Sequence, residues 1–379
     1  MKKIALFGST GSVGVQVLNV VRRLAGEVKV TALCAGKNSK KLQEQAEEFR
    51  PAFCGLTEGS REDGFTFAGP DACVRTAAEA DYDLAVVAIS GRTALPVVMA
   101  VLERGKDLAL ASKEVLAMAG ELVTAKAEEK GVRILPLDSE HSAVFQCLQG
   151  GKREELEGVV LTASGGPFRT LPPEQLEKVT PEMALRHPTW KMGPKITVDS
   201  ASLFNKGLEI IEARWLFGLE PKQIEVVVHP ESVVHSLVRW RDGSLLAQLG
   251  SPTMEVPIAY ALTWPDRLPA RPPRLDLAAL GRLTFEAPDE ARFPCLRICR
   301  EALEGGGAGP LAVNAADEVL VEAFLEGRIK WSAIPYLMER VLDRFPALFP
   351  RDLREVLAAD ELARRLTGEE LAGHAPGRK

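Results

Sequence analysis

Alternating strand-like and helix-like segments in the first 140 residues constrain the fold of this chain more than any other feature. Short apolar runs that suit buried parallel strands occupy residues 3–7, 29–35, 84–88, 107–110 and 133–135. Apolar side chains at three-to-four spacing, which is typical of amphipathic helices, occupy residues 13–24, 40–49, 95–104 and 114–130. Strand and helix repeated in this way predict a Rossmann-like, doubly wound parallel sheet.

The pattern changes after residue 157. Strand-like runs follow at residues 159–162, 225–228, 236–239 and 245–249, and Asp242-Gly243 joins the last two as a hairpin turn. A long helix at residues 202–217 interrupts them, so this region is predicted to be α+β. After a proline-rich stretch at 264–294, the chain has the periodicity of a helical bundle at residues 294–303, 311–326, 330–345 and 352–366.

Composition excludes several classes of protein. Forty-seven Lys and Arg against 52 Asp and Glu leave a formal charge of −5, so no large basic excess is available for nucleic acid. No uninterrupted apolar run reaches the roughly 18 residues that a membrane helix needs. The apolar run at the amino terminus is too short for a secretory signal, and the six cysteines form no zinc pattern. We therefore expect a cytoplasmic protein with reduced thiols.

A glycine-rich turn, Gly8-Ser9-Thr10-Gly11-Ser12-Val13-Gly14, lies between the first predicted strand and helix. Glycines allow the backbone to approach a pyrophosphate, and the start of a helix offers free N–H groups to it. The spacing differs from the common G-x-G-x-x-G pattern. The position predicts a dinucleotide site, and a glycine-rich turn without ligand is the alternative.

The residues after the second predicted strand indicate which dinucleotide binds. An NAD site usually has Asp or Glu there to bind the ribose hydroxyls, whereas residues 35–40 contain no acid. Lys37 and Lys40 would attract a 2′-phosphate, and Asn38 and Ser39 can donate hydrogen bonds to it. The segment favours NADP, and solvated charge at the start of a helix is the alternative.

Asp138-Ser139-Glu140-His141 follows the last strand of the predicted sheet. If the chain stays extended, Asp138 and Glu140 point to one face about 7 Å apart. Paired carboxylates suit Mg²⁺ or Mn²⁺, although such pairs are also common on protein surfaces. For His141, packing or capping is favoured over metal ligation.

A second group of polar residues lies in the α+β region. Residues 162–168 read as a strand that runs into a glycine turn, which can form an anion-binding nest. Ser200 is predicted to be the N-cap of the long helix, and Asn205 and Glu209 share one face of it, with Lys206 beside them. These residues would bind a phosphate near a metal. Charged side chains on a solvated helix are the alternative.

The loop at residues 187–195 lies between these segments. Its prolines and glycine preclude a long helix, yet it contains His187, Trp190 and Met192. Such a loop could close over an active site. A hydrophobic loop packed on the core is the alternative.

Together and in this order, these motifs resemble the 1-deoxy-D-xylulose 5-phosphate reductoisomerases, which make 2-C-methyl-D-erythritol 4-phosphate in the non-mevalonate isoprenoid pathway. The resemblance covers essentially the whole chain, and residues 187–217 are its most specific part. The matching segments are GSTGSVG, AGKN, SKE, LDSEH, LTASGGPF, HPTWKMGPKITVDSASLFNKGLEIIEARWLF and HPESVVHS.

The resemblance implies roles for individual residues. The implied metal ligands are Asp138, Glu140 and Glu209. Contacts to NADPH are implied for Thr10, Gly11, Ser12, Val13, Gly36, Lys37, Asn38, Ser112, Glu114 and Gly193. Substrate contacts are implied for Lys113, Ser139, Glu140, Ser164, His187, Ser200, Asn205, Lys206 and Glu209, with Lys113 and Glu140 as catalytic residues. Trp190 and Met192 belong to the family's mobile flap. The family usually has Asn-Lys-Glu where this chain has Ser112-Lys113-Glu114.

The resemblance also implies NADPH and Mg²⁺ or Mn²⁺ as cofactors, a phosphorylated sugar as substrate, no nucleic acid or membrane partner, and a homodimer. The expected division is a Rossmann-like NADPH-binding domain at 1–149, a catalytic and dimerisation domain at 150–264, a proline-rich linker at 265–293 and a helical bundle at 294–379. Either a retro-aldol/aldol route or a ketol shift would rearrange the substrate before NADPH reduces it. The rival functions are another NADP-dependent oxidoreductase, such as a semialdehyde or homoserine dehydrogenase, and a non-catalytic NADPH sensor.

Overall fold

The computed structural model describes residues 1–24, 26–60, 64–190, 192–269 and 272–374. Two compact units divide the chain. The first comprises Met1–Val115, Glu121–Phe145 and Thr253–Arg274, and the second comprises Leu116–Gly120, Gln146–Pro252 and Leu275–Lys379. The four-segment division expected from the sequence is a different partition of the chain and stays a prediction.

A parallel sheet forms the centre of the first unit. Over the described ranges its seven strands are β1 (Lys2–Phe7), β2 (Val28–Ala35), β3 (Phe53–Leu56), β4 (Phe67–Ala68), β5 (Leu84–Val87), β6 (Asp107–Leu110) and β7 (Ile134–Pro136). They are ordered β4-β3-β2-β1-β5-β6-β7, and every neighbouring pair is parallel. The doubly wound sheet is confirmed. Because the strand order reverses at β1, the crevice for a ligand is expected beyond the carboxyl ends of β1 and β5.

Helices connect these strands. They are α1 (Ser12–Arg23), α2 (Ser39–Phe49), α3 (Ala72–Glu79), α4 (Ala94–Glu103), α5 (Lys113–Lys130) and α6 (Ser139–Cys147). The apolar face of α1, including Leu18 and Val20, packs with Ile4 and Leu6 of β1 in one buried core cluster. This burial explains why the three-to-four spacing was informative. The short elements β3, β4 and α3 were not predicted.

A mixed sheet lies in the second unit. Its strands in the described ranges are β8 (Leu156–Ala163), β9 (Ile224–Val228), β10 (Val234–Trp240) and β11 (Leu245–Leu249), in the order β11-β10-β8-β9. The β10–β11 hairpin is confirmed, because the two strands pair antiparallel and Gly243 has a φ of +86° in the turn. Between β8 and β9 lie the helices α7 (Pro173–Leu176), α8 (Pro181–Ala184), α9 (Pro194–Ala201) and α10 (Phe204–Phe217).

The rest of the chain is helical. Helix α11 (Glu255–Thr263) belongs to the first unit, where Ile258 and Leu262 join the core cluster that contains α1. The proline-rich stretch contains only a short helix among its described residues, α12 (Leu277–Leu280). The predicted C-terminal bundle is confirmed as α13 (Cys295–Glu304), α14 (Gly309–Leu325), α15 (Ala333–Arg344) and α16 (Leu353–His374).

The structure bears on the expectations about membrane helices and about the cysteines. Within the described ranges, no helix is long and apolar enough to cross a membrane. All six cysteines lie in those ranges, and each of them is a free thiol.

Candidate active site

The glycine turn forms a tight link between β1 and α1. Gly8 has a φ of +89°, and a Cβ atom on it would lie 2.3 Å from the carbonyl oxygen of Ala88. A Cβ atom on Gly14 would lie 2.2 Å from the carbonyl oxygen of Gly8. Only glycine therefore fits at either position. The close approach brings the start of α1, which has no acidic residue in its first turn, to the end of β1, as a pyrophosphate cradle requires.

Two residues of α2 support this turn and were missed from the sequence. Lys41 donates from Nζ to the carbonyl oxygen of Thr10 (3.0 Å), and Gln45 donates from Nε2 to that of Ser9 (2.9 Å). Their i,i+4 spacing places both on one face of α2. Such spacing is common in helices, so nothing in the sequence distinguished them.

The residues predicted to bind the 2′-phosphate follow β2 directly. Asn38 caps α2, because its Oδ1 accepts the N–H of Lys41 (3.0 Å). The Lys37 side chain is 81% exposed, and its Nζ lies 3.4 Å from Oε1 of Glu58. An exposed ion pair of this kind contributes little, so Lys37 can exchange Glu58 for a phosphate at little cost. Solvated charge at a helix start is compatible with the same geometry.

The start of α5 supports the loop after β5. Ser112 occupies the N-cap position of α5, but its Oγ donates to the carbonyl oxygen of Ile89 (2.5 Å). Glu114 accepts the N–H of Gly91 at Oε1 (3.3 Å). Both residues therefore hold the backbone at the carboxyl end of β5, where the topology places a ligand.

Asp138 has a compact set of partners in the first unit. Its Oδ1 accepts the N–H of Ser139 (2.9 Å), and its Oδ2 lies 2.5 Å from Nζ of Lys113 and 3.7 Å from Nδ1 of His141. Burial alone would raise the pKa of Asp138, but Lys113 and His141 together hold it well below its usual range. The carboxylate is therefore ionised at neutral pH and offers hard anionic oxygens.

The expectation of an extended chain at Asp138 and Glu140 is wrong. Helix α6 begins at Ser139, and Ser139 Oγ donates to Oε2 of Glu140 (2.5 Å). The two carboxylates therefore lie on a helix start rather than on one face of a strand. His141 is fully buried, which agrees with packing.

His187 joins two serines in the second unit. Its Nε2 lies 3.1 Å from Oγ of Ser164 and 3.1 Å from Oγ of Ser200. Its Nδ1 accepts the N–H groups of Thr189 (3.1 Å) and Trp190 (2.9 Å). Since Nδ1 is an acceptor twice, we assign the proton of the neutral ring to Nε2.

This tautomer determines what the two serines can do. Nε2–H donates toward the hydroxyl oxygens, so the hydroxyl protons of Ser164 and Ser200 are available for an anion. Burial lowers the pKa of His187, which favours the neutral ring at pH 7. Gly165 and Gly166, with φ of +81° and +67°, turn the chain after Ser164 as a nest does.

Ser200 is not the N-cap of α10, so that prediction is wrong. It lies in the last turn of α9, whose N-cap is Gly193 with Pro194 at the first helical position. Helix α10 starts separately after Leu203, which has a φ of +60°.

Helix α10 carries the remaining predicted residues of the phosphate site. Asn205 Nδ2 donates to Oε1 of Glu209 (2.6 Å), and Lys206 donates from Nζ to Oε2 of the same carboxylate. Lys206 is 3% exposed and Glu209 is 1% exposed. The alternative of a solvated helix is therefore wrong for this face of α10.

The predicted flap lies between His187 and α9. The rings of Trp190 and His235 are 6.4 Å apart, and the carbonyl oxygen of Gly193 accepts from Oγ1 of Thr197 (2.7 Å). Lys191 of the same loop lies outside the described residues. Asp138 and Glu140 belong to the first unit and Glu209 to the second, so their assembly as one metal site is argued below as a proposal.

Comparisons with known proteins cover nearly the whole chain. Residues 4–120 match the family model for 1-deoxy-D-xylulose 5-phosphate reductoisomerase. Residues 134–217 match the model of that enzyme's C-terminal domain, and residues 249–366 match a DXP reductoisomerase C-terminal domain.

Relatives and solved structures agree with the family models. The chain is 48% identical to the 1-deoxy-D-xylulose 5-phosphate reductoisomerase of Pelotomaculum thermopropionicum, covering 97% of each chain, and 48% identical to that of Moorella thermoacetica, covering 98% and 99%. A solved structure of the Zymomonas mobilis enzyme in complex with NADPH is 39% identical, with a TM-score of 0.91 over 98% of this chain and 99% of that one. A DOX-P reductoisomerase crystal structure with NADPH, fosmidomycin and magnesium is 36% identical, with a TM-score of 0.92 over 98% of each chain.

This chain, with its parallel sheet, its turn at Gly8–Gly14 and the contacts of His187 with two serines, matches these enzymes almost from end to end. It belongs to the 1-deoxy-D-xylulose 5-phosphate reductoisomerase family.

Proposed function

We propose that this chain converts 1-deoxy-D-xylulose 5-phosphate to 2-C-methyl-D-erythritol 4-phosphate, using NADPH and a divalent cation. The observation that carries the proposal is the end-to-end match, at 48% identity, to enzymes of that name. The rival readings, another NADP-dependent oxidoreductase or an NADPH sensor, do not account for a match of this extent. They are not favoured.

The first unit binds the cofactor in this proposal. The pyrophosphate would approach the turn between Gly8 and Gly14, where a side chain has no room. Lys37 would meet the 2′-phosphate. The contacts proposed for NADPH are those of Thr10, Gly11, Ser12, Val13, Gly36, Lys37, Asn38, Ser112, Glu114 and Gly193. When bound, NADPH supplies the hydride, while the protein orients the nicotinamide and excludes water.

Asp138, Glu140 and Glu209 are the proposed metal ligands. A carboxylate set suits Mg²⁺ or Mn²⁺, and the bound cation supplies Lewis acidity and holds substrate oxygens in place. Lys113 and Lys206 each contact one of these carboxylates, at Asp138 and Glu209. Lys113 supports the proposal, because together with His141 it lowers the pKa of Asp138 and keeps that carboxylate ionised.

Lys113 and Glu140 are the residues proposed to transfer protons to and from the substrate. Lys113 carries a proton at Nζ beside Asp138, and the Glu140 carboxylate, which accepts from Ser139 at Oε2, is a base close to it in sequence. Both routes for the rearrangement, retro-aldol/aldol and ketol shift, use a proton transfer from a substrate hydroxyl.

The second unit binds the substrate phosphate in this proposal. Ser164 and Ser200 would donate their hydroxyl protons, while His187 fixes their orientation. Asn205 and Lys206 would add donors from α10. Phosphate binding at a distance from the reacting carbons can be used to order the loop that carries Trp190 and Met192.

The enzyme assay separates this function from its rivals. Purified protein is mixed with 1-deoxy-D-xylulose 5-phosphate, NADPH and Mg²⁺, the absorbance of the nicotinamide is followed, and the carbon skeleton of the product is determined by NMR. We expect a branched tetrol phosphate and no turnover when Mg²⁺ is chelated. An unbranched product would indicate a plain dehydrogenase, and NADPH binding without turnover would indicate a sensor.

We also propose a homodimer joined through β11. This strand is at the edge of the mixed sheet, and Leu245, Leu246 and Leu249 on it are 50%, 39% and 36% exposed. An exposed apolar edge strand invites pairing, and pairing with a second copy removes both edges. Light scattering on the native chain should give a dimer. Leu246→Lys should shift it toward monomer, whereas the control Leu283→Lys, at a leucine 38% exposed outside the strands, should not.

A cytoplasmic location is the third proposal. The six free thiols suit a reducing compartment, since paired cysteines are common where proteins are oxidised. Fractionation of the source cells, followed by detection of the protein in each fraction, tests it. Recovery in a membrane or extracellular fraction would contradict it.

A further inference from the structure

A buried charge cluster lies at the base of the flap, and no predicted site residue belongs to it. Lys195 is the second residue of α9, and its Nζ lies 2.7 Å from Oδ2 of Asp199, one turn later in the same helix. The same ammonium lies 2.6 Å from Oδ2 of Asp317, on α14. The Asp199 and Asp317 side chains are 2% and 0% exposed. One cation therefore serves two carboxyl groups that solvent hardly reaches.

Two ionised carboxylates at this place would be costly. A buried charge without compensation is strongly unfavourable, and one ammonium compensates only one carboxylate. Burial raises the pKa of Asp317 well above its usual range, Asp199 raises it further, and Lys195 opposes both. The cluster is therefore neutral as one ammonium, one carboxylate and one protonated carboxyl.

Two thiols also lie near Asp317 in the described part of the chain. Cys295 and Cys299 of α13 face it, and burial raises the pKa of both thiols, so they stay uncharged. Glu339 of α15 acts on Cys295, and its charge is paired with Arg297, whose guanidinium lies 2.5 Å from its Oε1.

The cluster touches the two helices that carry Ser200, Asn205 and Lys206, which are α9 and α10. Asp199 is adjacent to Ser200, and Lys195 follows the Gly193-Pro194 end of the flap. The ammonium also lies 5.3 Å from the centre of the Phe204 ring, a distance at which a cation and an aromatic ring attract each other. Phe204 is fully buried and directly precedes Asn205 and Lys206.

We propose that Lys195, Asp199 and Asp317 form a clamp that positions α9 and α10 for binding of the substrate phosphate. The clamp touches neither substrate nor cofactor, so its members are positioning residues. The proposal rests on the function proposed above, in that Ser200, Asn205 and Lys206 are the phosphate donors it positions.

Titration of inorganic phosphate tests the clamp without turnover. The dissociation constant of phosphate is measured by calorimetry on the full-length protein, together with the NADPH dissociation constant and the thermal midpoint. Lys195→Met should raise the phosphate constant about ten-fold, the scale of one hydrogen bond to a charged group. The NADPH constant should not change. An unchanged phosphate constant in Lys195→Met would overturn the proposal.

A matched control separates positioning from general loss of an ion pair. Lys126, in the first unit, also bridges two carboxylates, with Nζ 3.0 Å from Oε1 of Glu103 and 2.8 Å from Oε2 of Glu129. Lys126→Met should leave the phosphate constant unchanged. If it weakens phosphate binding as much as Lys195→Met does, the clamp has no specific role.

A single proton on the Asp199–Asp317 pair leads to a separate prediction. Asp317→Asn and Asp199→Asn should each keep phosphate binding within about two-fold, because the remaining carboxylate still compensates Lys195. The double variant should match Lys195→Met. If Asp317→Asn alone weakens binding as much as Lys195→Met, Asp317 is ionised and this part of the proposal fails, whether or not the double variant folds. Phosphate binding by a native protein that lacks turnover would contradict the proposed function and leave the clamp to be judged by the same variants.

Discussion

His187→Asn and His187→Gln separate the two hydrogen-bonding roles of the His187 ring. Asparagine places an acceptor where Nδ1 lies, so it can still accept the N–H groups of Thr189 and Trp190. Glutamine places a donor near the position of Nε2, so it can still donate toward Ser164 and Ser200. Each variant therefore keeps one role and loses the other.

The size of the expected effect of His187→Asn follows from the contacts of the ring. In His187→Asn the Nε2–H donor to two hydroxyl oxygens, each at 3.1 Å, is lost. A neutral hydrogen bond contributes about 1 kcal/mol, and the lost orientation of two hydroxyls that would donate to an anion costs about as much again. Transition-state binding should therefore weaken by about 2 kcal/mol, or about 30-fold in kcat/KM.

Steady-state kinetics with inorganic phosphate as a competing ligand test the assignment of the His187 proton and the role of the two serines. We expect His187→Asn to raise both KM and the inhibition constant of inorganic phosphate, and His187→Gln to change them less while lowering kcat through a loosened flap. Equal phosphate constants in His187→Asn and the native enzyme would refute the assignment of the proton to Nε2 and of the serines to the phosphate.

Three further predictions concern the cofactor, the metal and pH. Lys37→Ala should raise the KM for NADPH and barely alter that for NADH, because only NADPH carries the 2′-phosphate; equal use of both cofactors by the native enzyme would contradict this. Glu209→Gln should lower Mn²⁺ affinity and kcat together while NADPH binding persists, as measured by titrating Mn²⁺ against activity and thermal midpoint; an unchanged metal dependence would remove Glu209 from the site. Because burial lowers the pKa of His187, the unfolded chain takes up its proton first as pH falls below about 6.5, so the free energy of unfolding should decrease there. Urea titrations at several pH values should show a smaller decrease in His187→Asn than in the native protein.

Local rules predicted the elements whose partners are close in sequence. The first strand, the glycine turn and the first helix were read correctly because Gly8 and Gly14 have no room for a side chain. The sequence also predicts the i,i+4 pair of Asn205 and Glu209 correctly, because helix geometry alone brings the two together.

The errors arose where two local signals competed. The sequence predicts Ser200 as an N-cap, yet Gly193 and Pro194 start a helix that already includes Ser200, with proline at its favoured first position. The extended geometry considered for Asp138 and Glu140 does not form, because an Asp followed by Ser and Glu is also a typical start of a helix. In both cases the helix signal prevailed.

Other parts of the site depend on contacts between distant residues. Lys41 and Thr10 are 31 positions apart, and Asp317 meets Lys195 across more than a hundred residues. No spacing rule relates such pairs, because tertiary packing alone brings them together. The sequence shows which side chains are charged, but it does not show which distant groups they contact.

The support of the glycine turn by α2 has a consequence for changing the cofactor specificity of this enzyme. Lys41 and Gln45 hold the backbone of the turn, whereas Lys37 projects into solvent and contacts only Glu58 among the ion pairs described for it. The proposed recognition of the 2′-phosphate and the support of the glycine turn thus belong to different side chains, Lys37 just before α2 and Lys41 and Gln45 on it. A redesign toward NADH can vary position 37 freely, but it should keep Lys41 and Gln45, since replacing them would impair the binding of either nucleotide.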